Sequence, residues 1–492
     1  MLVMLARCRG TLIKARREVA RPFTACATPT FDSIDRHDGW SASNWGCNVR
    51  WGGGPIPLKE PRSLTELQEA VASSTHVRCI GSAHSFTPLV TPVASDNHTQ
   101  LLSLRKMPNI AVLDGEQQTI TVSGGTTYSE VCAFLAAHAS NLALATTASL
   151  PHFSVAGAVA TGTHGSSGLG EVGRLTLSGL ADAVISLELV GPDGAVRQVH
   201  KGVDADFDCS VISMGMMGVV TKVTLQLVPA YQVRQRVYGG WPAEPRPGSL
   251  GRLLRSIPEA LEQTDSLSAF VQWSVDGHGM LICRDKLPGA AEADAPDEWK
   301  DTGARLRHAP IEGFLEGFGA FDATSRGPWH DKMHIWMRDA QPFGPQGLPE
   351  LQLEHFVPLR HAAEALERTR HVAREWGSSL LYAEIRAVRG DGQALSPYTC
   401  DASEGYDTLA ITNGLDGALG EGRVLQASAV LEEALAPLRA RPHWGKLFSY
   451  SPQEIEELYG ERLTRFRTAA ARTDPEGKFR NPWLNRMVMG VS

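Results

Sequence analysis

Three stretches of the 492-residue chain combine residue types and spacings that can do chemistry. In the first, the apolar run Val77-Arg78-Cys79-Ile80 stops at Gly81, and Ser82, Ala83 and Ser85 carry a lone histidine, His84, into a turn. Glycine and serine let backbone N–H groups converge on an anion without interference from side chains. The theme repeats between Ser149 and Gly168, with Ser149, Ser154, Gly157, Thr161, Gly162, Thr163 and His164. Two such loops, each after apolar sequence, read as a clamp on a large phosphorylated cofactor. The plain alternative for His84 alone is a structural histidine. The second stretch pairs Glu384 with Arg386. On a strand such residues leave one face about 7 Å apart and can grip one polyol between carboxylate and guanidinium. The alternative is a surface ion pair worth under about 1 kcal/mol. The third is Arg441-Pro442-His443-Trp444-Gly445-Lys446, a polar corner stiffened by proline and tryptophan. Its lysine suits developing negative charge or a substrate hydroxyl; the alternative is a surface turn packed by Trp444.

These residues need elements to hold them. Ser63-Leu64-Thr65-Glu66 and Thr127-Tyr128-Ser129-Glu130 have the spacing of capping boxes and open helical patterns. Strand patterns cover Val77–Ile80, Ile110–Leu113 and Thr119–Val122, the last two joined by an Asp114-Gly115 turn. Val184–Val190 and Ala195–Val199 flank Pro192-Asp193-Gly194 as a hairpin, and Val219–Leu227 alternates again. Residues 360–376 and 425–440 have helical periodicity. Between them Tyr382, Glu384 and Arg386 alternate with Leu381, Ala383, Ile385 and Ala387. Strands and helices intermix without regular βαβ order, so the fold class is α+β.

The middle of the chain differs. Prolines and glycines punctuate Trp241–Gly251, and the Ala/Asp/Glu-rich Gly289–Asp297 reads as a surface insertion. Phe314, Phe318, Phe321, Trp329, His330, His334 and Trp336 make 304–345 aromatic-rich, as a substrate cover or an ordinary core would be.

With a formal net charge of −7, the chain has no general electrostatic reason to bind nucleic acid or acidic membranes. No apolar run reaches the roughly 18 residues of a membrane span. Cys8, Cys26, Cys47, Cys79, Cys132, Cys209, Cys283 and Cys400 form no C-x-x-C pair, which argues against a zinc site and for a reducing compartment. The start is Arg-rich and acid-poor: Arg7, Arg9, Lys14, Arg16, Arg17 and Arg21 face only Glu18. That pattern fits a transit peptide over residues 1–40, or a disordered extension, and leaves the location cytoplasmic or organellar.

The two loops with His84 in register, and Asp474-Pro475-Glu476-Gly477-Lys478-Phe479-Arg480-Asn481 near the end, resemble the flavin-binding half of the vanillyl-alcohol-oxidase superfamily. The resemblance narrows to the branch of alditol oxidases and sugar-lactone oxidases, within which Ser149-Leu150-Pro151-His152 and Glu384-Ile385-Arg386 favour the alditol oxidases. It implies a two-subdomain PCMH-type FAD-binding domain over 44–230, a substrate domain with a mixed or antiparallel sheet over 231–430, and a segment over 431–492 returning to the flavin site. It implies FAD bonded covalently through His84. No cysteine lies between 133 and 208 to make a second bond. Gly81, Ser82, Ala83, Ser85, Ser149, Ser154, Gly157, Thr161, Gly162, Thr163, His164, Val220 and His443 resemble the flavin contacts. Glu384, Arg386 and Lys446 resemble the catalytic set. Ser149, Glu384, Arg386, Thr412, Gly414 and Lys446 resemble the substrate contacts, and no metal is implied.

The implied reaction oxidises a primary alcohol of a sugar alcohol to the aldehyde and reduces O2 to hydrogen peroxide. The alternatives are an aldonolactone oxidase, a dehydrogenase passing electrons to a protein carrier, and a flavoprotein that binds FAD without turnover. In one place the chain departs from alditol oxidases, which carry histidine and threonine where Thr412 and Gly414 stand. The expectation is a roomier or differently hydrogen-bonded pocket.

Overall fold

The structure, a computed structural model, describes residues 44–49, 58–93, 98–169, 175–240, 249–273, 279–287, 297–299, 304–308, 323–334, 350–400, 403 and 407–491. The Arg-rich start, nearly all of Gly289–Asp297, and Phe314, Phe318, Phe321 and Trp336 lie outside them.

Helix α1 (Leu64–Ala72) starts at Ser63, whose side chain accepts from the Glu66 amide. Glu66 turns its carboxylate to the Arg62 amide, so the expected reciprocal box is only half made. Helix α2 (Tyr128–His138) makes the whole box through Thr127 and Glu130. Strands β1 (Leu58–Lys59), β2 (His76–Ile80) and β3 (Thr99–Ser103) form a small parallel sheet in the order β1-β3-β2. Strands β4 (Ala111–Asp114), β5 (Thr119–Ser123), β6 (Val184–Val190), β7 (Val196–His200) and β8 (Val219–Gln226) form an antiparallel sheet ordered β4-β5-β8-β6-β7. The buried members of this sheet, Ile120, Val122, Leu187, Val223 and Leu225, share one core with Val131 and Leu135 of α2.

A second, larger antiparallel sheet lies further along the chain. Its main strands are β9 (Gln232–Gly240), β10 (Ser266–Val271), β11 (Gly279–Leu287), β12 (Glu350–Pro358), β13 (Leu380–Val388) and β14 (Thr408–Asp416). They are ordered β9-β11-β10-β13-β14-β12. Helices α3 (Val155–Thr161), α4 (Ser249–Glu262), α5 (Ala362–Ala373) and α6 (Glu421–Leu435) complete the frame. Leu254, Ile257, Leu366, Val424 and Leu431 of α4–α6 pack on Leu267, Ala269, Ile385, Leu409 and Ile411 of the sheet. One face of the sheet is therefore sealed by helices, and the residues that alternate with these point the other way.

The C-terminal helices α7 (Pro452–Tyr459) and α8 (Glu461–Thr473) go back to the first core, where Ile455, Tyr459, Leu463 and Phe466 join Val131 and Leu187. The Asp474–Asn481 stretch braces β2. Its Lys478 carbonyl accepts from the Val77 amide, and Arg78 donates to the Phe479 carbonyl and, at 2.6 Å, to that of Met214. Asp474 ties the turn through the Lys478 and Phe479 amides. The motif that looked diagnostic is thus a clamp that holds the strand entering the His84 turn.

Candidate active site

One cleft collects nearly every residue singled out above. Enclosing about 1920 Å³ including its open mouth, it is lined by Gly81, Ser82, Ala83, His84, Ser85, Ser149, Ser154, Gly157, Thr161, Thr163, His164 and Val220 on one side. Glu384, Arg386, Thr412, His443 and Lys446 line the other.

The first side is built for close backbone approach. A Cβ added at Gly81 would lie 2.2 Å from Ser154 Oγ, and one at Gly124 would lie 2.3 Å from the Val220 carbonyl oxygen. Ala83 holds φ at 58°, a conformation that costs a non-glycine residue energy and turns the chain sharply before His84. Ser82 joins the two loops, its Oγ donating to the His152 carbonyl and accepting from the Ser154 amide, each at 2.9 Å. Ser154 precedes the first turn of α3 without a side-chain capping bond, and Gly157 and Thr161 of that helix line the cleft. Glycines, small residues and a helix start suit a pyrophosphate. The His84 ring stacks on Trp45 at 4.6 Å and meets Phe153 edge-on at 4.6 Å. Burial, then Lys446 and His152, push its pKa down to about 3, which leaves a neutral ring nitrogen at neutral pH.

The second side is a grid set by strand register. Phe270, Glu384, Thr412 and Glu354 lie in one row across β10, β13, β14 and β12. Two residues along, Tyr382, Gly414 and Gln352 form a second row, and Ser268, Arg386, Ala410 and Phe356 a third on the opposite flank. Arg386 is held at several points: Nη2 donates to Glu354 at 2.7 Å, Nη1 to Ser149 Oγ at 3.1 Å, and Nε faces Glu384 at 3.5 Å. Thr412 Oγ1 donates to Glu354 at 2.7 Å, and His164 Nε2 meets the same oxygen at 3.0 Å. Burial alone would raise the Glu354 carboxyl; His164 and Arg386 hold it well below the usual carboxylate range. Glu384, with burial dominant over the Arg386 attraction, is shifted up. The pair is therefore not the surface ion pair of the alternative reading, with Glu384 6% and Arg386 7% exposed.

The third stretch crosses the top of the grid. His443 Nδ1 accepts from the Gly445 amide at 2.9 Å, which assigns the proton of the neutral ring to Nε2. Burial, which outweighs Glu354, takes this imidazole down to about 3. Lys446 donates to Gln352 Oε1, and its pKa is lowered, first by burial.

Two expected residues are absent from the cleft lining. Gly162 has φ 74° and ends α3 as its left-handed cap, with Pro397 against the position of a Cβ. There it stops the helix. Gly414 does not open a roomier pocket, because the Tyr382 ring covers it. Glu350, Gln352, Glu354 and Tyr382 are cleft residues beyond the sequence-derived set. The signal for the first three is present in Glu350-Leu351-Gln352-Leu353-Glu354, a strict polar–apolar alternation, and that for Tyr382 in its alternation with Leu381 and Ala383.

A profile described as FAD binding domain matches residues 57–200, and one described as D-arabinono-1,4-lactone oxidase matches 348–487. Alditol oxidase of a Streptomyces species is 32% identical over 92% of this chain and 99% of its own length. The chain belongs to the alditol oxidase and sugar-lactone oxidase family. It is an FAD-dependent oxidoreductase with a PCMH-type FAD-binding fold. Other members are more distant. L-gulono-1,4-lactone dehydrogenase of Mycobacterium tuberculosis is 23% identical, with 88% of this chain and 96% of the relative covered. L-gulonolactone oxidase of Scyliorhinus torazame is 23% identical, with 91% and 98% covered. Among solved structures, a cholesterol oxidase from B. sterolicum superposes with a TM-score of 0.68 at 15% identity, over 91% of this chain and 96% of that one, a likeness of fold. The family's cofactor, FAD, fits the small-residue side of the cleft, where a Cβ at Gly124 would meet the Val220 carbonyl oxygen and one at Gly81 the Ser154 hydroxyl. Among the described residues no helix is long and apolar enough to cross a membrane.

Proposed function

We propose that this flavoenzyme oxidises a primary alcohol of a sugar alcohol to the aldehyde, with O2 as the electron acceptor and hydrogen peroxide as product. The observation that carries the reading is the grid itself: polar side chains from three strands, together with Lys446, share one cleft with the small-residue loops. Arg386 is already matched by Glu354 and Glu384, so the floor suits a neutral, hydroxyl-rich molecule rather than an anion. FAD, held through Gly81–Ser85, Ser154–Thr163, Val220 and His443 and covalently through His84, supplies a two-electron acceptor. Arg386 and Lys446 polarise the substrate oxygen and lower its pKa. Glu384, whose affinity for a proton burial has raised, orients the hydroxyl or accepts its proton. In this reading residues 44–230 bind FAD, 231–430 the substrate, and 431–492 complete the flavin site.

The second reading is an aldonolactone oxidase. It is favoured by the profile over 348–487, which spans Glu354, Glu384, Arg386 and Lys446. An oxygen electrode with a panel of alditols, aldonolactones and ethanol separates the two. Linear polyols are expected to exceed ethanol by orders of magnitude, because a site built to pair several hydroxyls rejects analogues that leave its groups unpaired. Rapid turnover of lactones alone would replace the first reading by the second.

A further inference from the structure

The place where this chain departs from alditol oxidases has its own architecture. A Cβ at Gly414 would lie 2.4 Å from Tyr382 Cε1 and 2.9 Å from its Cδ1 and Cζ. The Tyr382 ring therefore lies directly over the Gly414 α-carbon, in the volume that a side chain there would take. Tyr382 is only 7% exposed, and its hydroxyl accepts from Gln352 Nε2 at 2.8 Å. It also interacts with the buried Glu350 carboxyl. Gln352 in turn accepts from Lys446. Phe270 stands beside it, with ring centroids 6.3 Å apart.

Position along the strands gives this cluster its meaning. Arg386 marks one end of the floor, where Ser149 and the Ser167–Ala387 bridge join the sheet to the cofactor loops. Glu384 and Thr412 lie in the middle, and Tyr382, Gly414 and Gln352 at the other end. Successive rows are about 7 Å apart. We infer that Tyr382, seated on Gly414 and tied to Gln352 and Glu350, is the end wall of the substrate pocket and limits the length of polyol turned over. The inference rests on the alditol reading above. Tyr382 acts here as a specificity residue, and the glycine at 414 is what admits its ring.

The test is a series of linear alditols of three to six carbons, with kcat/KM measured by peroxide release per mole of bound flavin. In Tyr382→Ala the ratio of six-carbon to four-carbon kcat/KM is expected to rise about tenfold or more, the scale of discrimination by a pocket wall. Tyr382→Phe, which keeps the ring, is expected to leave that ratio unchanged. Gly414→Thr must evict the ring and is expected to lose activity at full flavin content. Tyr382→Ala combined with Gly414→Thr is expected to regain it, because the clash is then gone. An unchanged ratio in Tyr382→Ala, or a double variant no better than Gly414→Thr alone, overturns the wall. Should Tyr382→Ala lose its flavin, Tyr382→Leu and the double variant carry the same test. A wild-type enzyme active on lactones and on no alditol would sink the function proposed above and the wall with it. Alditol activity with an unaltered length profile would sink the wall alone.

Discussion

In the proposed assignment, the two sides of the cleft grip cofactor and substrate by different physics. The cofactor side works with backbone and small residues: Gly81 and Gly124 are packed so tightly that one added carbon would collide with Ser154 or the Val220 carbonyl. The substrate side works with long charged side chains on rigid strands, each anchored by others, as Arg386 is by Glu354, Ser149 and Glu384. A cofactor of fixed shape can be bound by a fixed contour. A substrate must be chosen among near neighbours, and choice comes from groups left unpaired when the wrong molecule enters. Variants on the first side should therefore change how FAD is held, and variants on the second what is oxidised and how fast.

The sharpest break is expected at His84. Acid-precipitated wild-type protein is expected to keep its yellow colour, and His84→Ala to lose all acid-stable flavin while binding FAD reversibly, since the small-residue contacts remain. Acid-stable flavin in that variant would end the covalent assignment. Next, Lys446→Ala is expected to lower turnover by about 100-fold with FAD content unchanged, because a fixed charge acts most strongly on the transition state. If flavin were lost and turnover per flavin kept, Lys446 would belong to the other side of the comparison.

A smaller effect is expected from Glu354→Gln. It removes the carboxylate that Arg386, Thr412 and His164 share, so kcat/KM for the polyol is expected to fall about tenfold as Arg386 loses its anchor. The flavin spectrum and the acid-stable fraction are expected to stay as in wild type, and a change in either would show that Glu354 serves the cofactor instead. The smallest concerns pH. Burial, partly opposed by Lys446, raises the Glu350 carboxyl to about 7. A raised folded-state pKa means that the folded protein binds the proton more tightly, so this contribution to stability is present at acid pH and is lost as pH rises through about 7. Melting temperatures between about pH 4.5 and 8, the span over which the folded protein keeps a proton that the unfolded chain has lost, are expected to fall less steeply in Glu350→Gln than in wild type. Parallel curves would rule Glu350 out as the titrating group.

Much of the first side was legible in the chain, since its signals are local. The turn after Ile80, the α2 capping box and the β6–β7 hairpin each depend on residues within a few positions of one another, and each formed close to where its pattern stands. The exceptions have equally local causes. At α1, the Glu66 carboxylate accepts from the Arg62 amide in place of that of Ser63. At Gly162, a glycine in a small-residue loop proved to be a helix cap.

The substrate side was only half legible. Alternation in Leu381–Ala387 put Tyr382, Glu384 and Arg386 on one face, because side-chain direction along a strand is a property of that strand alone. Which strand lies alongside is another matter: β12 and β14 each reach their neighbours across tens of residues, so the meeting of Glu354 with Arg386 and Thr412 is a result of register. Gly414 shows the same limit most clearly. By itself a glycine in place of a larger residue means space, and the sequence could say no more. Only the pairing of β13 with β14 put the Tyr382 ring into that space, because packing fills a void with whatever neighbouring side chain the fold places there.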